Sequence, residues 1–85
     1  RLTSPADGLG LSCWSDAEGL QVYTGNFIAP GSRGKGGAAY GPYFGVCLET
    51  GQLPNAVNFP SHRARVVKEA GEVYRAATEY RLERL

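Results

Sequence analysis

The sequence predicts an all-β chain, part of an antiparallel β-sandwich. Apolar and polar residues alternate with a period of two in several separate stretches, which sends them to opposite faces of strands. Short turn signals, among them Asp7-Gly8 and Gly71-Glu72, fall between those stretches. In the last stretch, 74–83, Tyr74, Ala76, Thr78, Tyr80 and Leu82 share one face, and Arg75, Ala77, Glu79, Arg81 and Glu83 share the other. A helix would scatter those charges around its girdle, so a strand is expected, with helix a lesser alternative given the alanines.

The elements follow in order. Residues 1–6 lead into the Asp7-Gly8 turn, a hairpin signal. Leu9, Leu11 and Cys13 then alternate with Gly10, Ser12 and Trp14 as a second strand. Residues 15–19 form a turn. Residues 20–27 read as a third strand, with Leu20, Val22 and Thr24 on one face and Gln21, Tyr23 and Gly25 on the other. Residues 29–41 are glycine-rich and read as a long loop. Its Gly34-Lys35-Gly36-Gly37 run resembles a dinucleotide fingerprint loosely. Pro42 stands where the following helix should run, and Lys35 lacks the Ser or Thr of a phosphate-binding loop.

The stretch 44–50 is the most informative. Phe44, Val46 and Leu48 should face a core, while Gly45, Cys47 and Glu49 face away. A carboxylate whose same-face neighbours are Gly and Cys has open room beside it, which suits an acid or base working on a ligand. The competing reading is an ordinary solvent-facing glutamate. Gln21 beside Tyr23 is similarly double. An amide next to a ring suits a sugar, and an exposed Gln beside a half-buried Tyr is equally ordinary. Pro54 and Pro60 argue against regular structure in 51–61. His62 follows with Arg63 and Arg65 as an exposed basic patch, and Val66-Val67 is a candidate short strand.

Composition narrows the function classes. With 85 residues there is room for one domain, modest in core and marginal alone. Net charge is +1 with acids and bases interspersed, which gives no electrostatic pull toward nucleic acid or an anionic membrane. No apolar run reaches the roughly 18 residues of a membrane span. The chain has two cysteines and one histidine, without metal-ligand spacing. Cys13 and Cys47 sit in strand-like runs and are expected as buried free thiols. No charged-then-apolar leader opens the sequence, so a cytoplasmic, reducing setting is expected. The first residue is Arg1 rather than methionine, which suggests a segment of something longer.

Taken together, several runs resemble the C-terminal part of the galactose mutarotase (aldose 1-epimerase) family. They are Gly19-Leu20-Gln21-Val22-Tyr23-Thr24-Gly25-Asn26-Phe27, Gly34-Lys35-Gly36-Gly37 with Tyr40, and Gly45-Val46-Cys47-Leu48-Glu49-Thr50 with Gln52 and Pro54-Asn55. Asn58-Phe59-Pro60-Ser61 and Gly71-Glu72-Val73-Tyr74 with Thr78 and Tyr80 complete the set. The resemblance implies an antiparallel β-sandwich of the galactose mutarotase type, with residues 1–85 as the C-terminal part of a single domain. It implies interconversion of the α and β anomers of free aldoses such as galactose and glucose, with no metal and no cofactor.

In that family the Glu of the Cys-Leu-Glu run is the general base, here Glu49, and the Gln of the Leu-Gln-x-Tyr-Thr run binds the sugar, here Gln21. The family's acid His, a second His, an Arg and an Asp lie upstream, and His62 stands in an unrelated stretch. The expected partners are therefore a small aldose and the missing N-terminal part, with self-association of the isolated chain through open strand edges. Two further readings are a non-catalytic carbohydrate-binding β-module and a structural half-sandwich. A hexose-6-phosphate epimerase of the same fold is a third.

Overall fold

A computed structural model describes residues 1–85. The chain is mostly strand with one short helix, in open antiparallel sheets, an all-β architecture. The strands are β1 (Leu2–Ser4), β2 (Leu9–Ser15), β3 (Gly19–Tyr23), β4 (Ser32–Arg33), β5 (Ala39–Tyr40), β6 (Cys47–Gly51) and β7 (Thr78–Arg84), and the helix is α1 (Pro60–Val66). Two compact units divide the chain. The first comprises Arg1–Gly19 with Thr50–Leu85, and the second comprises Leu20–Glu49.

The first unit is built on a three-stranded sheet in the order β1-β2-β7. The β1–β2 hairpin pairs Leu2 with Leu11, Thr3 with Gly10 and Ser4 with Leu9. Its turn is fixed by the Ser4 hydroxyl on Asp7 at 2.6 Å and by Gly8 at φ +64, a left-handed position that glycine takes without strain. Along its full length β2 pairs antiparallel with β7, from Leu9 with Arg84 to Ser15 with Thr78. Gly10 allows this approach, because a Cβ there would stand 2.8 Å from Cγ of Glu83. At the far end Asp16 Oδ1 accepts the Ala77 N–H at 3.0 Å, and the Ser15 hydroxyl donates to the Ala77 carbonyl at 3.1 Å. Cross-strand partners share a face. Leu2, Leu11 and Leu82 therefore line up, and Cys13 joins Tyr80 on the same side. On this face Leu82 is 79% exposed, while Leu11 and Cys13 are half-buried.

Helix α1 corrects the expectation of irregular chain through 51–61. A 3-10 turn at Ala56–Asn58 precedes it, and Pro60 occupies its first turn. There proline's missing N–H is no loss and its fixed φ already suits the helix, so it starts regular structure rather than forbidding it. Val66 closes the helix and Val67 caps it, so the short strand expected at these two valines is absent.

The second unit is held by turns more than by ladders. Residues 29–41, expected as a loop, close into a small hairpin in which Ser32 pairs with Tyr40 and Arg33 with Ala39. Gly34 is needed because a Cβ there would fall 1.8 Å from a carbon of the Tyr40 ring. The third strand ends at Tyr23 rather than at 27, and β6 begins at Cys47 rather than at 44. The physical reason is local. Pro42 and Tyr43 make a turn closed by the Phe44 N–H on the Gly41 carbonyl at 3.2 Å, with Tyr43 at φ +66. Phe44 and Val46 consequently stay 69% and 40% exposed instead of entering a core.

Little of the chain is enclosed. Ala56 is the one buried apolar side chain. The total accessible surface is 6910 Å². A closed fold of 9.1 kDa would expose about 4,900 Å².

Candidate active site

The candidate site is built on the pairing of β3 with β6. Both strands have five residues, and Gly19 lies against the carbonyl of Gly51, which a Cβ would approach to 3.2 Å. Gln21 is the middle residue of β3 and Glu49 the middle residue of β6, and the two strands are hydrogen-bonded neighbours.

Exposure along β6 alternates as a half-covered strand should. Cys47, Glu49 and Gly51 are exposed, while Leu48 and Thr50 are half-buried. The chain's four ion pairs use the carboxylates of Glu18, Glu79 and Glu83, which leaves that of Glu49 available. Gln21 is exposed, and its Nε2 donates weakly to the Val22 carbonyl at 3.4 Å. A long bond of that kind is readily exchanged for a ligand hydroxyl.

Behind these two side chains the Tyr23–Phe27 run works as a brace. The Tyr23 hydroxyl accepts the Phe27 N–H at 2.9 Å. The Gly25 carbonyl takes both the Ile28 N–H at 3.2 Å and the Tyr43 N–H at 3.0 Å. Gly25 sits at φ +71 and would bring a Cβ within 2.7 Å of the Gly45 carbonyl. Its glycine is thus required twice, for the backbone angle and for the close approach. The brace ties the end of β3 to the segment that enters β6.

Sequence reasoning left His62 as a bare surface residue, and the structure differs. His62 is half-buried, with Nδ1 3.4 Å from Oε2 of Glu18, close enough to pair but not aligned as a hydrogen bond. Arg65 engages the other oxygen of the same carboxylate. His62 and Arg65 are three apart, and reading Pro60 as a helix start would have put them on one helical face. Cys13 and Cys47 are free thiols, but Cys13 is half-buried and Cys47 exposed rather than both buried. No three His, Cys, Asp or Glu side chains come together in a way that would hold a metal ion.

The family profile described as aldose 1-epimerase matches residues 1–81. The chain belongs to the aldose 1-epimerase family. It is similar to galactose mutarotase of Sus scrofa, 41% identical over 78 residues, which cover 92% of this chain and 22% of that protein. Galactose mutarotase of Homo sapiens is 38% identical over 81 residues, 95% of this chain and 23% of that protein. Aldose 1-epimerase of Haemophilus influenzae is 37% identical over 81 residues, 94% of this chain and 24% of that protein. The chain thus spans about a quarter of the length of these aldose 1-epimerase relatives. No solved structure matches it.

Proposed function

We propose that this chain is the C-terminal part of one aldose 1-epimerase domain, and that it supplies the general base and a sugar-binding amide for interconverting the anomers of a free aldose. Glu49 is the base and Gln21 the binding residue. The observation that supports this reading is that β3 and β6 are neighbouring strands, with an exposed Gln21 in the middle of one and an exposed Glu49, outside every ion pair, in the middle of the other. Membership in the family supports it from a second direction.

The chemistry follows from those two groups and a missing partner. The Glu49 carboxylate takes the proton from the anomeric hydroxyl while an acid from outside these residues protonates the ring oxygen. The C1–O5 bond opens, C1 rotates about C1–C2, and the ring closes on the other face with the proton roles exchanged. Each positioned acid or base is worth roughly 10²–10⁴-fold in rate. His62 is held against Glu18 in the first unit and is not assigned to the acid role.

The same reading accounts for the large open surface. A sandwich of the galactose mutarotase type would cover the face of Leu11, Tyr80 and Leu82 with strands from the upstream part. The lone chain is expected to be inactive and to self-associate through that face and its strand edges. Polarimetry on freshly dissolved α-galactose tests the proposal, with the chain alone and after co-refolding with the upstream part. Exchange above the buffer rate should need both. A compact monomer that exchanges anomers unaided would overturn the reading.

A further inference from the structure

The first unit holds a depression of about 330 Å³ lined by Gln52, Arg65, Lys68, Val73, Tyr74 and Arg75. Three of its six lining side chains are cations. Arg65 shares its charge with Glu18. Lys68 donates only to a neutral acceptor, the Ala64 carbonyl at 3.3 Å. The carboxylates that form ion pairs elsewhere are Glu18, Glu79 and Glu83, so neither Lys68 nor Arg75 has an acidic partner. Like charges gathered on one concavity repel each other, and the repulsion is relieved by a bound anion. The Arg75 fork and the Lys68 ammonium, with Arg65 beside them already engaged by Glu18, present donors to several oxygens of a tetrahedral dianion, where a planar carboxylate would be satisfied by one fork.

We propose that this depression binds a phosphate group, presented as free orthophosphate or as the phosphate monoester of a small molecule. Its volume leaves room beside the phosphate for the rest of a small ester, and the half-exposed Tyr74 supplies a ring against which that part can pack. The proposal is independent of the roles given to Glu49 and Gln21, which lie in the second unit.

The test is a titration of the isotope-labelled protein carrying the upstream part, followed by its amide resonances, at constant ionic strength with chloride as the balancing salt. Orthophosphate should give a saturable shift confined to the residues around Arg65, Lys68 and Arg75. Lys68→Gln and Arg75→Gln should each weaken it roughly tenfold, as loss of one charge-assisted hydrogen bond does, and Lys68→Arg should retain it. Lys68 and Arg75 lie between α1 and β7, outside both, so the β2–β7 amides report whether the variants stay folded. Glycerol 2-phosphate that binds more tightly than orthophosphate identifies an ester as the ligand. Equal or weaker binding identifies the free ion. A shift that never saturates, variants that bind as the parent does, or equal shifts from neutral glycerol would each overturn the proposal.

Discussion

The two units solve the same problem differently. In the first, β2 and β7 pair over seven residues each, and the ladder itself fixes the geometry. In the second, the strands are two to five residues long, and glycines and turns set the chain path. The candidate site belongs to the second unit. A long ladder resists change at any one position, because its hydrogen bonds run between backbones. A unit held by close approaches at Gly25 and Gly34 depends on single side chains being absent. The contrast teaches that the part proposed to do chemistry is also the part in which one atom counts most.

The largest effect that separates the two units should come from Glu49→Gln in the protein carrying the upstream part. The substitution keeps the shape and removes the basic oxygen, so turnover should fall about 10²–10⁴-fold. Sugar binding should survive, as read by equilibrium titration with galactose. Near-normal polarimetric turnover would remove Glu49 from the mechanism.

A structural break comes next. Gly25→Ala forces a left-handed angle on an L residue and drives its Cβ toward the Gly45 carbonyl. A strained position of this kind costs about 1–3 kcal/mol. Hydrogen exchange should quicken at the Ile28 and Tyr43 amides, both donors to the Gly25 carbonyl, while the β2–β7 amides keep their protection. Equal loosening of both units would show that they do not hold themselves together separately.

Gln21→Ala should act more mildly and mainly on affinity. A hydrogen bond to a neutral hydroxyl contributes about 0.5–1.5 kcal/mol, so KM should rise by roughly two- to tenfold with kcat little changed. An unchanged KM with collapsed kcat would give Gln21 a different task.

The smallest effect belongs to the first unit. Glu18→Gln leaves Arg65 and His62 without their shared carboxylate. Exposed pairs of this kind are worth about 0.2–1 kcal/mol, and a drop of that size in protection of the α1 amides is expected. The Arg81–Glu79 pair on β7 makes a useful reference. The hydrogen bond and charge of Glu79 both raise the pKa of the exposed Arg81.

Much of the pattern was legible in the chain. Period-two alternation identified β2 and, from Thr78 onward, β7, although the stretch expected from Tyr74 joins the strand only at Thr78, and Asp7-Gly8 marked the β1–β2 hairpin. Gln21 and Glu49 stood out by the company they keep, and the strands that carry them, β3 and β6, are neighbours. Strand ends were less legible. Alternation continues through Phe44 and Val46, but the left-handed Tyr43 turn releases them before the ladder begins. Pro60 was misread because proline stops a helix from inside and starts one from its first turn, and the residue alone does not say which. The Glu18 contacts with α1 join residues more than forty positions apart, and no window of sequence contains both.

Cys47 carries a practical consequence. Its thiol is exposed on the same face of β6 as Glu49, two residues away. An alkylating label there is a covalent reporter placed beside the proposed base, and a bound sugar should slow its attachment. Oxidation acts at the same point in the opposite sense. Conversion of the thiol to a sulfinic acid is not reversed by ordinary reductants, and it would plant a second anion next to Glu49. The small side chain that keeps the neighbourhood open is also where an oxidant could close it.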